Sequence, residues 1–282
     1  KLYSSTISAD VYLAAIQEAE QQGLPVTGHM PFSVDFNEAV ANGLDATEHM
    51  YYLLKGASAE EELITQNVAN GTYGFWGSLN DAIDTYDEEV AKQTYEQIAE
   101  AGTAVVPTLH IGKVLAYLNE EDHSDDPYLS YIGPGIQETY QGRLEAARRQ
   151  SEEATMRRRN LRSIFMDMIP NIHEAGVPIL AGSDSGPFNS FVYPGISLHK
   201  ELEQLVAAGL SPLTALQTSV KNGPAFFGLS NQYGQVQKGY AADLLLLNSN
   251  PLDDISNTQD IDNVVLHGKP MGQDRLNKLK PN

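Results

Sequence analysis

The chain has 282 residues, enough for one large domain or for one domain with a small appendage. Acidic side chains number 37 against 18 basic ones, and the resulting formal charge of −19 argues against nucleic acid and anionic membrane surfaces as partners. There is no cysteine, which excludes disulfides and thiolate metal sites and leaves only nitrogen and oxygen ligands for any metal. No apolar run is long enough to span a bilayer. Both cytoplasm and periplasm remain open as compartments.

Taken in chain order, the pattern alternates helix, glycine and strand. Ser8 to Gln22 predicts a helix that Ser8 can cap and Gly23 stops, with Val11, Leu13, Ala14, Ala15 and Ile16 as apolar positions. Pro25 to His29 follows as a short strand. Asn37 to Asn42 predicts a short helix stopped by Gly43, and Leu44 to His49 is the next strand, also ending in a histidine. Glu88 to Ala101 is a helix stopped by Gly102, and Thr103 to Thr108 is a strand leading to His110. One long helical stretch is expected from about Ile136 to Ala175. Gly176 stops it, and the strand Val177 to Gly182 leads to Ser183 and Asp184. Serial units of this kind imply parallel strands with crossover helices, hence an α/β fold. The polar residue of each unit falls at the C-terminal end of its strand, where a (β/α)8 barrel and a doubly wound sheet both put ligands.

Two segments exceed a plain connection. One runs from Tyr51 to Asp87 with the single tryptophan, Trp76; the other runs from Ile111 to about Gln141 with the acidic tract Glu120 to Asp126. Segments of that length form lids and binding loops, or solvent-facing insertions. Tyr51, Tyr52, Tyr73, Phe75 and Trp76 either wall an apolar substrate side chain or pack their loop on itself. The mixed charges from Arg143 to Arg162 at helical spacing predict a solvated helix face. After Gly234 the pattern turns to β: Ala242 to Leu247 is expected as a buried strand, and Asn263 to Pro270 as a strand and turn.

Three polar side chains stand out, His29, His49 and Asp184, each after a short apolar strand and among small residues. A lone histidine there is commonly a hydrogen-bonded structural residue. Three such positions at the same end of successive parallel strands point instead to a shared site. Imidazole nitrogen and carboxylate oxygen suit zinc or a similar divalent ion, which lowers the pKa of bound water toward ~7 and polarises a carbonyl. A neighbouring carboxylate can take the proton of that water.

These stretches resemble the amidohydrolase superfamily, in the branch of imidazolonepropionase-like proteins and prolidase-like dipeptidases. The matching segments are Gly23 to His29, Gly43 to His49, Gly176 to Asp184, Leu198 to Leu202 with Ala208 to Leu216, and Gly239 to Leu247 with Asn250 to Leu252. The resemblance implies the C-terminal portion of a (β/α)8 barrel, about strands four to eight, over residues 1–232. It also implies that residues 233–282 are the returning part of a small β-sandwich. By the same resemblance His29 and His49 bind metal, and Asp184 binds metal and acts as the catalytic base. The resemblance also implies that Lys1, within Lys1-Leu2-Tyr3, is the lysine that carbon dioxide carboxylates to bridge two ions; the alternative is an ordinary lysine. His110, Tyr52 and Trp76 are the candidate substrate contacts.

The departure from the family is the His-x-His pair of the first barrel strand, which this sequence does not contain. The resemblance therefore implies an N-terminal segment elsewhere that supplies those ligands, since half a barrel exposes a sheet edge. The expected function is metal-dependent hydrolysis of a C–N bond in a small-molecule amide, a cyclic amide or a dipeptide, with one or two divalent ions. The alternatives are a mononuclear imidazolonepropionase-like enzyme and a non-catalytic barrel fragment that acts by binding. A homo-oligomer is compatible with either.

Overall fold

The computed structural model describes residues 1–3 and 7–280. The chain divides into two compact units, one built from Lys1–Pro107 with Asp167–Leu180 and the other from Thr108–Met166 with Ala181–Asn282.

The first unit is α/β. Its strands β1 (Leu2–Tyr3), β2 (Thr27–His29), β3 (Ala46–Glu48) and β4 (Ala104–Val106) form a parallel sheet in chain order. The helices α1 (Ala9–Gln21) and α2 (Phe36–Ala41) make the first two crossovers. Between β3 and β4 lie α3 (Tyr51–Gly56), α4 (Glu61–Ala69), α5 (Phe75–Asp84) and α6 (Glu88–Ala101). The segment from Tyr51 to Asp87, expected as a long loop, is thus mostly helical. Ser8 stands at the N-cap of α1 in extended conformation, but its side chain makes no capping bond. Asp35 and Asp87 do cap, accepting from Glu38 N and from Glu89 N and Val90 N.

The glycines read as stops turn the chain with positive φ: Gly23 at 66°, Gly43 at 100°, Gly102 at 73° and Gly176 at 84°. Gly28 does something different. Leu2 pairs with it across β1 and β2, its φ is 142°, and a Cβ there would lie 1.8 Å from the Leu2 carbonyl oxygen. Only glycine lets these two backbones approach so closely. The expected strand from Val177 to Gly182 contracts to a single parallel bridge, Val105 to Ile179, which extends the row beside β4.

An ion pair is buried in the core of this unit. Lys55 is 0% exposed and donates to the Val34 carbonyl (2.7 Å) and to Glu61 Oε1 (3.1 Å), which also accepts from Phe36 N (2.7 Å). Burial pulls the Lys55 pKa down and pushes that of Glu61 up, while each opposes the other's shift by its charge.

The second unit contains α7 (Leu109–Tyr117), a 3-10 turn at Pro127–Tyr131 and α8 (Pro134–Arg148). It also holds the first part of α9 (Glu152–Glu174), then α10 (Ile196–Ala207), α11 (Pro212–Val220) and α12 (Asn222–Phe226). The single helix expected from Ile136 to Ala175 is therefore two. The break at 149–151 carries Arg, Gln and Ser, and Ser151 caps α9, its Oγ accepting from Ala154 N at 3.2 Å. Leu118, Tyr140, Leu144, Phe191 and Tyr193 form a buried cluster beneath the segment with the acidic tract.

An antiparallel sheet follows: β5 (Leu244–Leu247), β6 (Ile261–Leu266) and β7 (Lys269–Met271) in that order, with α13 (Gln273–Asn277) after it. His267 and Gly268, with φ of 50° and 74°, make the two-residue turn of the β6–β7 hairpin. The leucine run of β5, expected to be buried, is not: Leu245 and Leu246 are 51% and 57% exposed. β5 pairs only with β6 in this sheet, so an apolar run here marks an edge strand rather than a central one.

Candidate metal-binding histidines and their surroundings

His29 ends β2, and His49 follows β3 directly. The parallel register brings their rings together, with centroids 4.8 Å apart and the two Nε2 atoms at 2.9 Å. His49 is held by its own backbone N–H, which donates to Val106 O of β4 (2.9 Å), and it adopts a left-handed φ of 70°. Such a conformation costs of order 1 kcal/mol and persists where the surroundings impose it. Burial lowers the His49 pKa to about 4; Glu48 opposes the shift and Lys1 adds to it. The imidazole is therefore neutral at pH 7, the form that ligates metal.

Bonds of 2.0–2.1 Å at a tetrahedral ion place two ligand nitrogens about 3.3 Å apart. The His29 and His49 nitrogens lie within a few tenths of an ångström of that spacing, and imidazole is a donor that zinc-like ions accept. The pair thus fits half of a divalent site. Among the described residues no group of three or more His, Asp or Glu stands ready to hold an ion.

The remaining predicted residues fall as follows. Lys1 Nζ lies 2.5 Å from Glu48 Oε2, and the other oxygen of Glu48 accepts from Thr27 Oγ1 (3.1 Å). Lys1 is thus placed one strand from His29, as the salt-bridge partner of Glu48. Tyr52 is buried, with its ring 6.3 Å from His29 and 5.5 Å from Phe32. Trp76 is the second residue of α5, 52% exposed and 5.3 Å from Phe75, which meets Tyr51, and Tyr51 meets His49. A chain of aromatic contacts therefore runs outward from the histidine pair.

His110 and Asp184 belong to the second unit. His110 lies in the first turn of α7 after Thr108, whose φ is 53°. Its pKa is lowered to about 4, first by burial and then by Lys113 and Lys200. Its backbone N–H and that of Leu109 donate to the fully buried Glu201 carboxylate of α10, at 2.7 and 2.9 Å. Asp184 also has a left-handed φ, 52°, and receives the Asn189 side-chain amide on its carbonyl (2.5 Å) and on Oδ2 (2.9 Å). His199 shares a hydrogen bond with Thr258 (2.9 Å), a structural contact.

Sequence reasoning gave no part to Glu201, Asn189 or Glu48. Glu48 was visible beside His49, and Asn189 in a loop with glycine and proline. Glu201 acts 92 residues from Leu109, which no local pattern signals.

The profile of the amidohydrolase family matches residues 4–271. The chain belongs to the amidohydrolase family. Among solved structures it is similar to the bottromycin amidohydrolase, with a TM-score of 0.71 and 24% identity over 97% of this chain and 55% of that one. A Xaa-Pro dipeptidase with bound methionine matches with a TM-score of 0.59 and 19% identity, over 94% of this chain and 49% of that one. Among curated proteins, the ochratoxinase of Aspergillus niger is 34% identical over 83 residues, 29% of this chain and 16% of the ochratoxinase. The chain spans about half the length of the solved structures it matches. Among its described residues no helix is long and apolar enough to cross a membrane.

Proposed function

We propose that this protein hydrolyses C–N bonds with the help of a divalent metal, in a small amide, a cyclic amide or a dipeptide of the prolidase type. The observation that carries this reading is the histidine pair at the ends of two adjacent parallel strands, with nitrogens 2.9 Å apart and His49 neutral. Family membership supports it, as do the names of the bottromycin amidohydrolase and the Xaa-Pro dipeptidase among the similar structures.

In this reading His29 and His49 are nitrogen ligands, and Asp184 is a carboxylate ligand and general base. When bound, the ion supplies Lewis-acid activation of water and carbonyl, bringing water's pKa toward ~7. His49 is held as a neutral donor beside His29, and the hydrogen shared between their Nε2 atoms at 2.9 Å would move to the other ring nitrogen when both ligate. Asp184 accepts a proton from water and returns it to the leaving nitrogen, so that an amine departs with its proton balance closed. Lys1, released from Glu48 and carboxylated by carbon dioxide with loss of a proton, would be the residue that helps hold a second ion. His110, Tyr52 and Trp76 are the proposed substrate contacts, with Trp76 the most accessible of the aromatic chain. Residues 1–232 are proposed as the partial barrel, about its strands four to eight, and 233–282 as part of the sandwich. The His-x-His ligands are proposed to come from a segment outside this sequence.

The test uses protein expressed from its complete gene, assayed on Xaa-Pro and other dipeptides, on N-acyl amino acids and on cyclic amides. Turnover that a chelator abolishes and added zinc or manganese restores is expected. Absence of turnover across the panel, with metal content confirmed, contradicts the hydrolase reading.

A further inference from the structure

We propose that Asn189 is the positioning residue for Asp184, and that Arg143 fixes the orientation in which Asn189 does so. The inference rests on the reading of Asp184 as the general base. Asn189 Nδ2 carries two hydrogens, and the geometry sends one to the Asp184 carbonyl at 2.5 Å and one to its Oδ2 at 2.9 Å. A loop closed for its own sake needs only the carbonyl bond. The second bond fixes the side chain of the same residue, whose backbone already sits in the left-handed region at a φ of 52°. Backbone and carboxylate are thus held by one amide.

That amide can present its NH2 to Asp184 only if its oxygen faces the other way, and Arg143 supplies the reason. The Arg143 guanidinium, which has donors and no acceptor, donates to Asn189 Oδ1 at 3.3 Å and to the Phe188 carbonyl. A flipped amide would set NH2 against guanidinium. One turn earlier on α8, Thr139 Oγ1 shares its one hydrogen between the Pro187 carbonyl of the same loop (2.8 Å) and the Ile136 carbonyl of its own helix (2.7 Å). The helix is itself packed against that loop, since Tyr140 and Leu144 lie in the cluster with Phe191 and Tyr193, and the Tyr140 and Phe191 rings are 5.2 Å apart. In the route α8, Arg143, Asn189, Asp184, the helix packs on the loop, Arg143 donates to Phe188 and Asn189 in turn, and Asn189 donates twice to Asp184. A general base works only when its oxygen is held within hydrogen-bond reach of the proton it takes, and a misplacement of about 1 Å costs on the order of 10²-fold.

The experiment is a double-mutant cycle on the protein expressed from its complete gene. Asn189→Leu, similar in volume but without donor or acceptor, should lower kcat about 10- to 100-fold while KM stays within about three-fold. Arg143→Lys, which keeps a donor, should retain more of kcat than Arg143→Leu. Asp184→Asn with Asn189→Leu should be no slower than Asp184→Asn alone, because Asn189 acts only through that carboxylate. Losses that multiply, or an unchanged kcat in Asn189→Leu, overturn the proposal. A wild-type protein that hydrolyses no amide defeats the hydrolase reading instead. The cycle is then read on thermal denaturation midpoints with Asp184→Ala: non-additive shifts support the Asn189–Asp184 clamp, and additive shifts overturn it.

Discussion

The start of α7 depends on one carboxylate, and removing it is the sharpest perturbation of the second unit. Glu201, 0% exposed, accepts from Leu109 N and His110 N at 2.9 and 2.7 Å. Glu201→Leu leaves both donors buried and unpaired. At about 1–3 kcal/mol for each, the expected loss is about 2–6 kcal/mol. Glu201→Gln keeps one acceptor and should lose about half as much. The wild type also carries a pH signature. Burial pushes the Glu201 carboxyl up to about 7 from an ordinary 4.5, against the pull of the backbone N–H groups of His110, Leu109 and Thr108. With the folded value above the unfolded one, the folded protein holds more protons between those pH values. Its stability contribution is therefore complete below 4.5 and is lost as pH rises through about 7, at most about 3 kcal/mol at 1.36 kcal/mol per pH unit. Urea denaturation of wild type and both variants from pH 4.5 to 8 reads both effects. A Glu201→Leu protein within about 0.5 kcal/mol of wild type, or a wild-type-minus-Gln difference flat across pH, refutes the reasoning.

Lys55→Met should destabilise by about 3–5 kcal/mol because it strands a buried Glu61, whereas Lys55→Met with Glu61→Leu should cost less than the single change; denaturation of the three proteins decides it. Gly28→Ala places a Cβ 1.8 Å from the Leu2 carbonyl oxygen, so the two strands must part by more than 1 Å. Hydrogen exchange in β1 and β2 should accelerate, and unchanged protection would contradict the close approach. Asp184→Asn should keep the fold and lower turnover about 10²–10⁴-fold, measured with metal content confirmed; near-normal turnover removes Asp184 from the role of base.

The first unit was legible because its punctuation is local. Gly23, Gly43, Gly102 and Gly176 each end a helix with positive φ, and that spacing alone implies parallel strands with crossovers. His29 and His49 were legible for the same reason, since each closes such a unit. What escaped has a weak local mark or none. The break at 149–151 falls in a charged run whose one mark, the Ser151 cap before Glu152 and Glu153, is easily read as helix interior, and the helices α3 to α5 lie in a segment whose length suggested a loop. Leu245 and Leu246 read as core because an apolar run looks the same on an edge strand as on a central one. Asn189 and Glu201 act through contacts set by the fold, five and 92 residues from their partners.

The central claim is that His29 and His49 hold a divalent ion. Elemental analysis of protein expressed from its complete gene, beside His29→Ala and His49→Ala variants shown by circular dichroism to be folded, tests it most directly. The account predicts about one to two divalent ions per chain in the wild type and clearly less in each variant. Metal content that is the same in all three proteins, or absent from a wild type purified without chelator, would contradict it.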